Sequence, residues 1–431
     1  MNAAANSYPT PNIGSLERFL RARLLARLAR LSHGRLQLRD SRGTVELGVA
    51  SDPALPRVLL EVLDPVFYLL VAAGGSVGAG EAYMQGAWRC SAPGLDAGQS
   101  LVALVRLLLR NRALLDGLES GLARAVGAAL RAWHAARRNT REGSRRNIAA
   151  HYDLGNDFFG LFLSADLMYS SALWQGDGDT LEAASTRKLE RICRRLQLLS
   201  SDHVVEIGTG WGGFALHAAR HYGCRVTTTT ISREQYAVAK ARVAEAGLEG
   251  RVEVRLDDYR DLTGRYDKLV SIEMIEAVGA PYLGEYFRTI DRLLKPDGLA
   301  LLQAITIEDH RYRMALRSVD FIKRHVFPGS FIPSVSALLA AKTRVSDLGL
   351  VALEEFGDSY ARTLAAWRER FLARLPRVRA QGFDERFIRL WEFYLSYCEG
   401  GFRERSIGVA HLLFAKPGWR RLEPIVDRER R

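Results

Sequence analysis

Apolar and polar positions change their period along this chain, and each change marks an element. Leu16, Leu20, Leu24, Leu28 and Leu31 recur at helical spacing, with Arg18, Arg21, Arg23, Arg27 and Arg30 between them. This predicts a basic amphipathic helix over 16–31, packed on its own domain or lying on a membrane. Over 34–47 and 57–63 the pattern alternates, broken by Asp52-Pro53, so short strands are expected. From Leu101 to Arg138 the helical period returns.

A further helix over 180–199 precedes a regular alternation. Segments 203–207, 224–230, 251–256, 267–272 and 299–305 read as strands, and 214–222, 233–246 and 281–294 as helices. Short connections between them imply a mostly parallel sheet with helices on both faces. Past Ile307 the alternation stops. Residues 308–345, with several aromatics and Pro328-Gly329, look like an insertion covering a pocket, and the remainder is helical up to a final strand, Gly408–Ala415. The expected division is an α/β accessory domain over 1–110, a helical basic linker over 111–146, an α/β main domain over 147–417 and a charged tail over 418–431.

Composition narrows the class. Hydrophobic residues make up 48%, as in a globular chain. The longest apolar candidate, Val66–Gly80, falls short of the roughly 20 residues that span a bilayer and reads as core. Residues 1–14 show no secretory pattern. Cys90, Cys193, Cys224 and Cys398 form no C-x-x-C, which fits a reducing cytoplasm and no structural metal. The net charge of +12 favours an anionic partner, nucleic acid or acidic lipid. No aromatic-basic module of the RNA-binding kinds is present, which argues against nucleic acid. Arg137, Arg138, Arg141, Arg145 and Arg146 form a basic linker, either simply solvated or in contact with lipid phosphates.

Candidate chemistry centres on Glu206-Ile-Gly208-Thr-Gly210-Trp-Gly212-Gly213, which closes the mostly apolar run Val204–Ile207. A buried strand ending in a glycine-rich turn lets backbone approach a ligand, and the helix that follows offers unpaired N–H groups. Gly208, Gly210 and Gly213 satisfy G-x-G-x-x-G, but a dinucleotide site wants an acidic residue about twenty positions on. Here that stretch reads Val226-Thr-Thr-Thr-Thr-Ile-Ser, with no carboxylate until Glu234. The redox reading weakens, and an S-adenosylmethionine (SAM) site remains. Other strand ends add Thr230-Ile-Ser-Arg-Glu-Gln235, Asp257-Asp-Tyr259-Arg and Glu273–Glu276, at the edge where such sheets bind ligands.

The ordered set of His151-Tyr-Asp-Leu-Gly-Asn-Asp, Met168-Tyr-Ser, Glu206–Gly213, Thr230-Ile-Ser-Arg-Glu-Gln and Asp258-Tyr-Arg-Asp continues with Phe327-Pro-Gly, Phe356-Gly-Asp-Ser-Tyr360 and Cys398-Glu-Gly-Gly-Phe-Arg. It resembles the cyclopropane-fatty-acyl-phospholipid synthase family, from Leu63 to Phe414. The resemblance implies a class I SAM-dependent methyltransferase domain behind an accessory domain. It also implies transfer of the SAM methyl carbon to the cis double bond of a phospholipid acyl chain. The implied setting is cytoplasmic, peripheral to the inner face of the membrane, with an anionic lipid surface as partner; a homodimer is left open. By position, Tyr169 and Ser170 would hold the methionine end of SAM, and Gly208, Gly210 and Gly212 its backbone path. Thr230, Ile231 and Gln235 would hold the ribose, and Asp258 with Tyr259 the adenine.

An alkene is a weak nucleophile, so such a site must position the methyl donor and exclude water. Aromatic faces stabilise the resulting cation, and Tyr312, Phe321, Tyr360 and Trp367 are candidates. Ring closure needs a base. In the family this is a bicarbonate held by a cysteine, a glutamate, a histidine, a tyrosine and a backbone group. Here Glu276 and Tyr360 match and Ile305 offers its backbone, but Ser171 stands at the cysteine position and Gln303 at the histidine. Ala277 replaces a second histidine. Serine and glutamine are neutral donors, so the site is less cationic than the family pattern. Two products stay open: a cyclopropane, or a methyl- or methylene-branched chain formed without ring closure.

Overall fold

The computed structural model describes residues 13–49, 57–115, 122–135, 137, 139–144 and 154–420. His151, Tyr152 and Asp153, the linker residues Arg138, Arg145 and Arg146, and the tail beyond Arg420 lie outside them. The chain forms two units, Met1–Ala128 with Glu385–Phe393, and Ala129–Asp384 with Tyr394–Arg431.

The first unit is built on a four-stranded sheet of order β2-β1-β3-β4, with β1 Arg35–Asp40, β2 Gly43–Gly48, β3 Val58–Val62 and β4 Trp88–Ser91. Leu36, Leu38, Val58, Leu60 and Val62 alternate inward, as the period of two requires. Strand β4 was not foreseen, being too short at 4 residues to show a period. The Arg-rich helix spans Ile13–Leu28, and part of its basic face is engaged within the unit. Arg21 pairs with Asp40 at 2.5 Å, and Arg27 Nε donates to the Leu114 carbonyl at 2.8 Å. Leu28 is buried, whereas Leu16 and Phe19 are about half exposed. The apolar stretch forms a helix, Val66–Met84, long and apolar enough by composition to cross a membrane. Gly75 interrupts it at φ 56°, ψ −126°, and Phe67, Tyr68, Val77, Tyr83 and Met84 are buried.

Within this unit the chain continues past residue 110. Asn111 Oδ1 accepts the backbone N–H groups of Ser32 and His33 at 2.9 and 3.1 Å, which ties the end of the helix Ala97–Arg110 to the connection that leads into the first strand. The unit is completed from far downstream, where Tyr83 donates to Glu392 at 2.8 Å and packs on Phe393.

The second unit carries a seven-stranded sheet of order β10-β11-β9-β8-β5-β6-β7. Its strands are β5 His203–Ile207, β6 Arg225–Thr229, β7 Val252–Arg255, β8 Tyr266–Ile272, β9 Leu294–Ile307, β10 Gly349–Glu355 and β11 Ile407–Ala415. β5 to β9 pair in parallel and β11 runs antiparallel to both its neighbours. This is the expected α/β sheet. Strand order reverses at β5, so the ligand edge lies at the carboxyl end of β5 and the strands beside it. Strand β10 was missed: it lies at the edge, and exposed Leu350, Val351 and Leu353 destroy the inward alternation. Residues 308–345 form three helices, Asp309–Arg317, Phe321–His325 and Val335–Thr343, with Leu338 and Ala341 in the core of the unit.

Candidate active site

The glycine turn follows β5 directly. Gly208, Gly210 and Gly212 have φ of 101°, 51° and 87°, which glycine adopts readily. A Cβ on Gly208 would meet Met274 Cγ at 3.2 Å, whereas one on Gly210 would meet nothing within 4 Å. The backbone is therefore open toward the ligand edge, and the helix Gly213–Tyr222 begins there. After β6, Thr230 donates to Gln235 Oε1 at 2.9 Å and Ser232 caps the helix Arg233–Glu245, while Ile231 is half-buried between them. These residues gather at the carboxyl ends of β5 and β6.

Asp258 and Tyr169 each have a hydrogen-bond partner within the protein. Both Asp258 oxygens are taken by Arg260, at 2.8 and 2.6 Å. Against the upward push of burial, that guanidinium holds the carboxyl below its usual range. Asp258 thus stiffens the turn that presents Tyr259, whose ring packs edge-on against Tyr286 at 5.5 Å. Tyr169 donates or accepts at 2.9 Å with Tyr394, and its ring lies among Phe159, Phe327 and Trp367. Ser170 Oγ accepts from Lys188 Nζ at 2.8 Å. Lys188 is fully buried, and burial lowers its pKa to about 8 despite the charges of Asp166, Glu273 and Glu206. Lys188 was not foreseen, because a lysine on a basic helix reads as surface.

The expected anion-binding residues converge, but on a carboxylate of the protein. Glu273, just past β8, accepts the Ser171 N–H at 2.9 Å and Gln303 Nε2 at 2.7 Å on Oε1. Its Oε2 accepts the Tyr360 hydroxyl at 2.7 Å. Burial raises the Glu273 pKa, opposed by these three donors and by Lys188. Ser171 contributes its backbone, since its hydroxyl donates to the Ala172 carbonyl at 2.9 Å. Gln303 is oriented from behind, with Oε1 2.9 Å from His411 Nε2. Burial pushes His411 down to about 3, so it is neutral.

Glu276 forms a separate couple with Ile305, whose N–H reaches Oε1 at 2.5 Å. Its other oxygen is buried without a partner, and burial, then the Glu273 charge, raise the pKa to about 8. Sequence reasoning gave Glu276 a catalytic role and named Glu273 only as the start of the strand end Glu273–Glu276. Tyr360 stacks on Phe402 at 4.4 Å and meets Trp367 edge-on. Tyr312 is half-buried against the core, and Phe321 is sealed against His325.

A glycine turn, a polar second strand end and a dry carboxylate cluster at the third suit a cofactor-dependent reaction on an apolar substrate. The sequence profile of the mycolic acid cyclopropane synthetase family matches residues 139–412. The chain belongs to that family. Cyclopropane-fatty-acyl-phospholipid synthase of Escherichia coli K12 is 36% identical over 371 residues, 86% of this chain and 90% of that protein. Tuberculostearic acid methyltransferase of Mycobacterium tuberculosis is 35% identical over 404 residues, 92% of this chain and 91% of that protein. Among solved structures, a cyclopropane synthase from Mycobacterium tuberculosis matches with a TM-score of 0.59 and 27% identity, covering 63% of this chain and 98% of that one. A mycolic acid cyclopropane synthase complexed with SAH and CTAB matches with a TM-score of 0.58 and 27% identity, over the same shares, 63% and 98%. Like its cyclopropane synthetase relatives, the chain is a SAM-dependent methyltransferase of class I fold.

Proposed function

We propose that this chain adds the methyl carbon of SAM to the cis double bond of an unsaturated acyl chain in a membrane phospholipid and closes it into a cyclopropane ring. The observation that carries this is the adjacency of the two sites. Met274 lies against Gly208 of the glycine turn and follows Glu273, the centre of the carboxylate cluster. Ser170 and Ser171 continue the link, one facing Lys188 and the other Glu273.

SAM, when bound, supplies an electrophilic methyl carbon. Gly208, Gly210, Gly212, Thr230, Ile231, Gln235 and Tyr259 would hold it, with Tyr169 and Ser170 at its methionine end. The chain's own residues do the rest. Phe159, Phe162, Tyr169, Phe327, Tyr360 and Trp367 form a contiguous aromatic wall that excludes water and offers ring faces to a cationic carbon. A carboxylate beside it accepts the proton that ring closure releases. Access to lipid is peripheral, at an anionic cytoplasmic surface, supported by the net charge of +12 and by exposed Leu16, Phe19, Leu63 and Leu69 on the first unit.

The likeness to a tuberculostearic acid methyltransferase across 92% of this chain favours a second reading, in which the added carbon stays a methyl or methylene branch. Mass spectrometry and proton NMR of lipids from a host expressing this chain decide between them. Cyclopropane protons resonate apart from branch-methyl and olefinic protons, and unaltered lipids would refute both readings.

A further inference from the structure

Ser171, Gln303 and Tyr360 occupy the positions expected to hold a bicarbonate. Their donors are instead directed at the Glu273 carboxylate, two on Oε1 and one on Oε2. A carboxylate and a bicarbonate present the same planar, negatively charged O–C–O edge, so one set of donors serves either anion but not both. Glu276, facing the same charge, leaves an oxygen unpartnered rather than presenting a cationic alternative. The residues present therefore do not fit a bound bicarbonate.

The placement of Glu273 is specific. Its φ is 49°, in the left-handed region that non-glycine residues occupy at a cost and that recurs where function requires it. Ser171 and Gln303 are sealed at 0% and 1% exposure, whereas Glu273 itself is only half-buried. The carboxylate is held by buried donors. His411 fixes the Gln303 amide so that its NH2 group, not its oxygen, points at Glu273.

We infer that the Glu273 carboxylate takes the place of bicarbonate as the proton acceptor for ring closure. The inference rests on the function proposed above. In the step itself, one C–H bond of the added methyl carbon breaks. Its electron pair forms the new C–C bond to the electron-poor neighbour, and the proton passes to a Glu273 oxygen. Ser171, Gln303 and Tyr360 donate to the carboxylate and so favour its ionised form against the effect of burial. In the branched reading the same oxygen takes a proton during alkene formation.

The test compares wild-type protein with Glu273→Gly, a substitution that suits the backbone angle and empties the donor set. Turnover on vesicles of monounsaturated phospholipid is measured in carbonate-free buffer, with and without added bicarbonate or formate. Wild-type turnover should not respond to bicarbonate. Glu273→Gly should lose roughly 100-fold, in the range of a missing general base, and regain about tenfold with either anion. The line width of carbon-13 bicarbonate should broaden with Glu273→Gly and not with wild type. A wild-type enzyme that stalls without bicarbonate would overturn the proposal, as would a fully active Glu273→Gly in carbonate-free buffer. If Glu273→Gly does not fold, the isosteric Glu273→Gln must lose turnover equally and gain nothing from bicarbonate; an active Glu273→Gln also overturns it. Wild-type protein that leaves the phospholipid unchanged would defeat the proposed function instead, while the bicarbonate line width still reports whether Glu273 fills the donor set.

Discussion

His411 Nε2 lies 2.9 Å from the Gln303 amide oxygen, across the antiparallel register of β11 on β9. The Gln303 NH2 group donates to Glu273, so its oxygen accepts from the buried, neutral ring and the amide has one orientation. His411 touches neither substrate nor cofactor. It is a positioning residue, and replacing it should let the amide turn.

His411→Phe should therefore lower turnover about tenfold, the scale of one misdirected hydrogen bond, with SAM affinity by calorimetry unchanged. It should also alter acid stability. The folded pKa lies near 3 against an ordinary 6.5, so between those values the unfolded chain holds the extra proton. Stability is lost as pH falls through that window, by up to about 1.4 kcal/mol per pH unit. Chemical denaturation of His411→Phe from neutral pH downward should show a shallower decline; an identical decline would mean the ring is not held neutral.

Glu276 predicts the opposite slope. Its folded pKa is about 8 against 4.5, so in between the folded state holds a proton that the unfolded chain has released. Stability falls as pH rises through this window. Glu206, buried and also raised to about 8, acts in the same direction. Glu276→Gln should gain on wild type by about 1 kcal/mol per pH unit across the window, measured by urea unfolding. Because the protonated acid and the amide are both neutral, its turnover near neutral pH should stay within about tenfold of wild type.

Lys188→Met tests the buried cation. The change removes the donor to Ser170 and the positive charge facing Asp166, Glu206 and Glu273. Unfolding should show a loss of about 1–3 kcal/mol, the cost of a buried polar group left unsatisfied. SAM affinity should fall as well, since Ser170 loses its orientation. Unchanged affinity would place Lys188 in the scaffold alone.

Vesicle co-sedimentation tests the lipid surface. Binding should be tighter to anionic than to neutral vesicles and weaken between low and physiological salt. Leu16→Ser with Phe19→Ser should reduce it, leaving turnover on detergent-dispersed lipid unaltered. Binding indifferent to salt would exclude the basic surface as the contact.

The glycine turn and the β5–β9 alternation were legible because each is set by neighbours within a few positions. Glu273 was not, since its significance comes from Ser171, Gln303 and Tyr360, all 30 or more positions away. The Ser171 side chain was expected at the anion and turns back on Ala172, a choice set by local geometry that residue type does not encode. Arg141, read as a phosphate contact or a solvated residue, is paired with Asp261 at 2.6 Å. Strand β10 lacked any inward alternation to read.

The first unit is closed by nine residues, Glu385–Phe393, that the ribosome makes long after the rest of it. Tyr83 cannot meet Glu392 or Phe393 until 309 further positions have emerged in the first case. Its final packing must therefore wait for the second unit's sheet strands β5 to β10 to be made, and a polypeptide severed at Ala128 would leave Tyr83 and Phe393 each without the other.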